Sequence, residues 1–260
     1  MTHRVKHTII LCLFAAFSVT LVAQDSQEFE KGLLYYNQRH KNARNLKADK
    51  TIIYKAIQHF EQAHKEKPTP LTYEYLLRSY YFAGFFVAEN DENKLYWYSK
   101  GTKIGKEAAQ KYPENAPILY WYLANISQES KIEGIWFAIN NKTLSKAMKL
   151  IDDIIRIDPY YQGGGGYRNK AILYYKVPYI PFVLTFPDDE EALKYFEKAL
   201  EIDPAHPTTL YFYAECLNDL GEEEKARKAL EKIIRQPPRQ SYYLEDSYLI
   251  AKAKKLLEEL

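Results

Sequence analysis

The chain has 260 residues, of which 47% are hydrophobic and 27% are charged, a balance typical of a folded soluble protein. Basic side chains exceed acidic ones by two, and the first 24 residues hold Arg4 and Lys6 but no acidic residue. The rest of the chain is therefore formally neutral, and it has no basic excess that would indicate binding to nucleic acid.

The first segment has the features of a secretory signal peptide. Its positive start is followed by an apolar run over residues 9–23, which is too short for a comfortable membrane span. We therefore predict a signal peptide at residues 1–24, a single domain at residues 25–260, and export to the periplasm of a bacterium with two membranes. A lipid anchor on Cys12 is not favoured, because Leu11 stands directly before it where a lipidation signal has a small residue.

A four-residue pattern recurs along the rest of the chain. In its first copy, Ala56, Phe60 and Ala63 have the spacing of one helix face, and Pro68 follows them. Small residues let a neighbouring helix approach, the ring fills the space between helices, and proline ends the helix. This pattern is typical of the second helix of a tetratricopeptide repeat and of its exit turn. The further copies are Gly101, Gly105, Ala108 and Pro113; Ala147, Ile151, Ile154 and Pro159; Ala192, Phe196, Ala199 and Pro204; and Ala226, Leu230, Ile233 and Pro238.

Five copies predict an all-α tetratricopeptide-repeat solenoid with long insertions. Successive signature prolines are 45, 46, 45 and 34 residues apart, whereas a standard repeat has about 34 residues. The first three intervals therefore carry extra residues, and about eleven residues is three helical turns, which can lengthen a helix without rotating its buried face. Residues 242–260 follow the last copy and are predicted to form a terminal capping helix.

The insertions are unusually apolar. The segment 132–139 has helical apolar spacing, which predicts a face buried against the rest of the protein. The segment 177–187 contains three prolines and is predicted to be an apolar loop. Two interpretations stay open: the insertions converge on a cavity for a hydrophobic small molecule, or they only pack on one another. The residues concerned are Phe85, Phe86, Ile135, Trp136, Phe182 and Phe186.

A run of four glycines, Gly163–Gly166, stands where the fourth unit should begin. Glycine disfavours helix by about 1 kcal/mol relative to alanine. The helix is therefore predicted to begin near Tyr167 and to end at Lys176. Arg168 follows the glycines, and its planar guanidinium could bind an anionic group. The alternative is that Arg168 caps a helix or pairs with a carboxylate.

No constellation of residues in the chain indicates catalysis. The histidines beyond the first segment lack the spacing of a zinc site, and the glycine run lacks the Lys-Ser/Thr pair of a phosphate-binding loop. We therefore predict a binding protein that is not an enzyme and that needs no cofactor or metal. Its concave groove is predicted to be lined by Tyr75, Tyr120 and Tyr211, one from each of three first helices.

Three segments carry a narrower resemblance: residues 119–125 (Leu-Tyr-Trp-Tyr-Leu-Ala-Asn), 165–168 (Gly-Gly-Tyr-Arg) and 176–178 (Lys-Val-Pro). Together with the long repeat spacing, they resemble the T component associated with TRAP transporters. The resemblance implies a periplasmic protein that partners a solute-binding protein, a hydrophobic channel or cavity, and a homo-oligomer. The alternative function is a general cell-envelope scaffold that holds segments of other proteins. The candidate ligand-binding residues are Tyr120, Trp121, Asn125, Trp136, Tyr167, Arg168 and Phe182.

Overall fold

Twelve α-helices make up most of the described chain, and all but α6 and α12 pack as successive pairs. The computed structural model describes residues 26–177 and 188–260. Within these segments there is no β-strand, only one isolated bridge between Arg44 and Lys47. No helix in the two segments is both long and apolar enough to cross a membrane. The helices are α1 (Gln27–Asn37), α2 (Lys50–Glu66), α3 (Pro70–Phe82), α4 (Asp91–Lys111), α5 (Ala116–Glu133), α6 (Ile135–Asn140), α7 (Thr143–Ile157), α8 (Tyr161–Lys176), α9 (Asp189–Ile202), α10 (Pro207–Asp219), α11 (Glu223–Ile234) and α12 (Tyr243–Glu259).

Local sequence signals explain where many of these helices begin and end. Asp49, Thr69, Asn90 and Asp188 each cap a helix by accepting a hydrogen bond from a backbone N–H of the first turn. The second helices α2, α4, α7 and α9 each end two residues before a signature proline. The signature residues of the five second helices lie in the core, as the repeat pattern predicts. Those with less than a tenth of their surface exposed include Ala56, Phe60, Ala63, Ala108, Ala147, Ile151, Ile154, Ala192, Phe196, Ala199, Ala226, Leu230 and Ile233.

The first helices of successive units stack side by side. Helix α3 contacts α5, α5 contacts α8, and α8 contacts α10, while each second helix packs behind its partner. Glycines in α4 allow the closest approach between a pair. A Cβ atom on Gly101 would lie 2.2 Å from Asn125 Oδ1, and one on Gly105 would lie 2.4 Å from the Tyr122 ring. Gly101 and Gly105 therefore occupy the signature positions that hold alanine and an aromatic residue in the first copy. The side chains of Asn125 and Tyr122 on α5 fill the space that these glycines leave.

The insertion of the second unit lengthens two helices, as the count of whole turns suggested. Helix α3 continues through a π-helical turn over Ala83–Val87, and α4 begins at Asp91 and is 21 residues long. The insertion of the third unit forms the short helix α6. Gly134, with a φ of 92°, separates α6 from α5. The loop predicted at 177–187 and the signal peptide predicted at 1–24 lie almost entirely outside the described residues.

The glycine run folds differently from the prediction. Gln162, Gly163 and Gly164 adopt left-handed backbone angles, with φ of 52°, 59° and 73°, and regular helix resumes at Gly165, before the predicted start near Tyr167. The prediction treated glycine only as a poor helix former. In the structure the run permits close packing: a Cβ atom would lie 2.6 Å from the Tyr120 ring at Gly165 and 2.6 Å from Ile155 at Gly166. The cost of helical glycine is offset by the approach of α8 to α5 and α7.

The C-terminal helix does more than cap the last unit. Its second half packs on α10 and α11, where Ala253 is buried with Leu230 and Ile233. Its first half reaches the opposite end of the solenoid, where Leu244 joins the core cluster of the first units with Phe29 and Phe86. Helix α12 therefore connects the last repeat to the first, a contact that the repeat pattern did not predict.

Candidate functional site

The first helices bring a group of aromatic and charged side chains together on their inner side. At its centre the Arg78 guanidinium lies 5.2 Å from the centroid of the Tyr75 ring and 5.3 Å from that of Trp121. Its Nη2 is 2.5 Å from Oε1 of Glu74, one turn earlier on α3. An arginine over aromatic faces gains a cation–π attraction that is stronger where water is excluded. We call Glu74, Tyr75, Arg78, Trp121 and Tyr161 the central cluster.

The Tyr161 hydroxyl joins three helices in this cluster. It accepts hydrogen bonds from Arg78 Nη2 at 3.1 Å and from Trp121 Nε1 at 3.2 Å, and it lies 3.4 Å from Glu74 Oε1. Burial raises the pKa of Tyr161, so its hydroxyl stays protonated and can donate to Glu74. Burial lowers the pKa of Arg78, but its neighbours, among them the Glu74 carboxylate, outweigh burial and raise it. The cluster therefore holds a fixed ion pair between Arg78 and Glu74, most of which is covered by protein.

Tyr120 and Arg168, both predicted as ligand-binding residues, lie beside the central cluster. The Tyr120 ring contacts the rings of Trp121 and Tyr161, each with centroids 5.4 Å apart. Arg168 is 2% exposed and donates to the Tyr120 hydroxyl, the Thr209 hydroxyl, and the carbonyls of Gln162 and Gly163. The predicted alternatives for Arg168 were an anion site, a helix cap or a carboxylate pair. Its observed partners are carbonyl and hydroxyl oxygens of the left-handed turn and its neighbours.

Asn125 has a structural position between α3, α4 and α5. Its side chain is fully buried and donates to the carbonyls of Leu77 and Trp121 at 3.0 and 2.8 Å. These bonds tie α5 to α3 directly behind the central cluster. Asn125 thus lies under the surface that Trp121 helps to form, and Gly101 leaves the room that it needs.

The other predicted site residues lie apart from this group or outside the description. Trp136 is 65% exposed on α6, so the prediction of a buried apolar face over residues 132–139 is wrong for Trp136, while Ile132, Ile135 and Ile139 are half-buried. Helix α6 packs against α5 and α7, with Ala138 buried between them and Trp136 left exposed. Tyr167 is half-buried on α8. Phe182 lies outside the described residues.

The insertion of the second unit, which contains Phe85 and Phe86, packs in the core of the first two units. Phe85 and Phe86 contact Tyr248 of α12, with centroids 5.3 and 6.1 Å from its ring. Phe86 is 3% exposed, in a core cluster that does not include the exposed Trp136. The structure therefore places the insertions of the second and third units in different environments. Phe186 lies outside the described residues.

Two of the three tyrosines predicted to line the groove are placed on the inner side of the first helices. Tyr75 and Tyr120 are half-buried in or beside the central cluster. Tyr211 is buried, because Lys252 of α12 lies over its ring at 4.6 Å and its hydroxyl donates to Glu215 at 2.7 Å. The expectation that Tyr211 lines an open groove is wrong, since α12 covers it.

Sequence reasoning missed the charged members of the central cluster. Glu74 and Arg78 are four residues apart on one helix face, and that spacing is a recognised signal for an ion pair. Tyr161 carried no such signal, because its role depends on the left-handed turn that follows it. Among the described residues, no group of three or more His, Cys, Asp or Glu side chains is placed to hold a metal ion.

Comparison with known proteins agrees with the repeat architecture. Residues 190–253 match the family model described as tetratricopeptide repeat. The solved structure of TTC0263, a thermophilic TPR protein of Thermus thermophilus, aligns with a TM-score of 0.60 and 17% sequence identity over 89% of this chain and 100% of that one. Yeast Tom70 aligns over 90% of this chain and 41% of its own, with 17% identity and a TM-score of 0.48, too low to support an argument. No curated protein matches the sequence. The chain therefore has the all-α fold of a tetratricopeptide-repeat protein, a fold that typically serves protein–protein interaction and not catalysis.

Proposed function

We propose that the chain is a binding protein that holds a segment of another protein against the central cluster. The observation that carries this proposal is the position of Arg78 between Tyr75 and Trp121. Its Nε is buried and makes no hydrogen bond in the structure, although Nη2 is paired with Glu74 and Tyr161. Aromatic residues and arginine are the residue types enriched at binding hot spots.

The mixed chemistry of the cluster favours a polar peptide over a purely apolar ligand. Tyrosine and tryptophan offer an apolar ring with a polar edge, which suits half-wet contacts. Glu74 and Arg78 place one negative and one positive charge within the same surface, at side-chain exposures of 12% and 15%. A bound segment would therefore contact apolar rings flanked by charged side chains. The first helices stack side by side, so they present these side chains along one surface.

Site-specific photo-cross-linking in the native host tests this proposal. A photoreactive phenylalanine derivative at position 121 should form a discrete cross-link to a partner protein, whereas the same group at position 160 should not. Tyr160 is 70% exposed and lies outside the cluster, so it controls for surface encounters. Replacement Arg78→Ala should weaken the cross-link, while Arg235→Ala, which removes an exposed arginine paired with Glu231, should leave it unchanged. Equal yields at positions 121 and 160 would contradict the proposal.

A more specific role is that of a periplasmic accessory resembling the T component of TRAP transport systems. The observation that favours it is that two of the resembling segments meet in space: Tyr120 accepts a hydrogen bond from Arg168, and Gly165 lies against the Tyr120 ring. In that role the partner is a periplasmic solute-binding protein, the chain is exported after removal of residues 1–24, and it forms a homo-oligomer with room for a hydrophobic small molecule.

Cell fractionation and co-purification test this role separately. The mature N-terminus, read by mass spectrometry, should begin near residue 25, and the tagged chain should retain a solute-binding protein under native conditions. Sedimentation of the purified chain would give its oligomeric state. Capture of envelope assembly factors in place of a solute-binding protein would instead support the general cell-envelope scaffold.

A further inference from the structure

The inner surface of the first two units is already occupied by part of the chain itself. We call this the receptor surface and define it by Tyr36, Arg39, Phe82, Phe85 and Phe86. The first half of α12 lies on it. Leu244 is 2% exposed within the core cluster that contains Tyr36, Phe82 and Phe86. One turn later, the Tyr248 ring stands edge-on to Phe85, at an angle of 90°.

Polar contacts fix the register of α12 on the receptor surface. Arg39 is 3% exposed and donates from Nη2 and Nε to Glu245 Oε1 at 2.7 and 3.1 Å. Its Nη2 also donates to the Ser241 carbonyl at 2.5 Å. Just outside this pair, the ring of Tyr243 lies 5.6 Å from that of His40. The buried Arg39 thus donates hydrogen bonds to both a carboxylate and a backbone carbonyl of the C-terminal segment.

The two halves of α12 are held by different parts of the protein. Ala253, Leu256 and Leu257 pack in the cluster formed by α10 and α11, which would remain if the first half of α12 detached. The first half is therefore tethered next to the receptor surface, and tethering gives it a high effective concentration there. Any free partner for the same surface has to compete with it.

We propose that the first half of α12 is a built-in occupant of the receptor surface, and that a partner engages this surface by displacing it. The partner is a helix that carries a leucine and a tyrosine four residues apart, with an acidic residue directly after the leucine. This inference goes beyond the proposed binding function, because the receptor surface shares no residue with the central cluster. Helices recognised in grooves present apolar anchors at such spacing, and charge pairs then fix orientation.

The chain's own C-terminal segment is the probe for a first experiment. A fluorescent synthetic peptide of residues 239–260 is titrated with the full chain and with an opened variant, Leu244→Asp combined with Tyr248→Ala. These changes weaken the occupant and leave the receptor surface intact. The opened variant should bind the peptide at least about tenfold more tightly than the unmodified chain, because the internal competitor is weakened. Adding Arg39→Ala to the opened variant should reduce peptide binding at least about tenfold, because the half-buried Glu245 carboxylate of the peptide loses its charged partner.

Equal peptide affinity for the opened variant and the unmodified chain overturns the proposal, as does indifference to Arg39→Ala. Hydrogen exchange provides a second measurement that does not need the opened variant to fold. Replacement Arg39→Ala alone should speed amide exchange in residues 240–248 and leave residues 252–259 unchanged, while Arg235→Ala should alter neither. If amide exchange changes equally along the whole of α12, or does not change at all, the proposal that its first half is released separately is overturned. Neither measurement uses the natural partner, so a failed cross-link at position 121 and a failed peptide titration reject different proposals.

Discussion

Arg168 Nη2 donates to the Tyr120 hydroxyl at 2.9 Å, although the two residues are 48 positions apart in the chain. The same guanidinium holds the carbonyls of Gln162 and Gly163 in the left-handed turn. Replacement Arg168→Ala would leave these part-buried acceptors unpaired, and each acceptor shielded from water costs about 1–3 kcal/mol. We expect the free energy of unfolding to fall by about 3–4 kcal/mol, measured by urea denaturation. The matched change Arg156→Ala, which removes an exposed salt bridge to Glu114, should cost no more than about 1 kcal/mol.

Gly165 is in regular helix, so its replacement by alanine tests packing and not backbone strain. A Cβ atom there would lie 2.6 Å from Tyr120 Cε2. Overpacking costs about 1–3 kcal/mol, while alanine gains about 1 kcal/mol in helix propensity. We expect Gly165→Ala to lower the free energy of unfolding by up to about 2 kcal/mol. In a Tyr120→Ala background the same change should cost at least about 1 kcal/mol less. An unchanged cost in that background would show that Tyr120 is not the obstacle.

His206 predicts a pH dependence of stability. Burial, together with the nearby charges of Arg168 and Arg239, lowers the pKa of His206 well below its ordinary value. The unfolded chain takes up a proton near pH 6.5, whereas the folded chain does not, so stability falls as pH drops below about 6.5. Between about pH 7.5 and 5.5, one such histidine removes about 1.4 kcal/mol.

The replacement His206→Asn isolates this contribution, since asparagine is also a favoured N-cap residue. His40 and His64 have pKa values lowered chiefly by burial as well, so part of the pH dependence should remain in the variant. We expect the variant to lose about 1.4 kcal/mol of the change in unfolding free energy over this pH range. The same pH profile in both proteins would mean that His206 is protonated in the folded state.

Tyrosine–carboxylate pairs account for part of the unusual tyrosine content. Tyr175 donates to Asp219 Oδ2 at 2.5 Å, and Tyr80 donates to Glu61 Oε1 at 2.7 Å. Burial and the bond to Asp219 raise the pKa of Tyr175, so its hydroxyl remains a donor at neutral pH. Replacement Tyr175→Phe should lower the free energy of unfolding by about 1–2 kcal/mol. Tyr160→Phe, at a 70% exposed position, should change it by less than about 0.5 kcal/mol. Equal losses of unfolding free energy in the two variants would show that the hydrogen bond between Tyr175 and Asp219 is not the cause.

The repeat architecture could be predicted because its signals are local. The spacing of Ala56, Phe60 and Ala63 before Pro68 is set by how two neighbouring helices meet, so one pattern found every second helix. The same reasoning failed at residues 132–139, where helical apolar spacing indicated burial but Trp136 is exposed. Helix α6 follows the positive-φ residue Gly134 and has only six residues, and it packs on α5 and α7 without covering Trp136.

The candidate surface could be predicted only in part. Tyr120, Trp121 and Arg168 stood in recognisable segments, and the structure brings them together. Tyr161 and Arg39 gave no local signal, because their partners are far away in the chain. Arg39 and Glu245 are 206 residues apart, and no periodicity in a sequence indicates which distant residues a solenoid will bring into contact.

The pairing of Arg39 with Glu245 alters how the chain should unfold. In an open repeat array each unit contacts only its neighbours, so the ends fray first and unfolding spreads inward. Here the terminal units support one another through α12. Melting of either end removes a contact from the other, which couples the array into a single cooperative transition. Circular dichroism and tyrosine fluorescence should then report one common midpoint, and removal of α12 should destabilise α1 as well as α11.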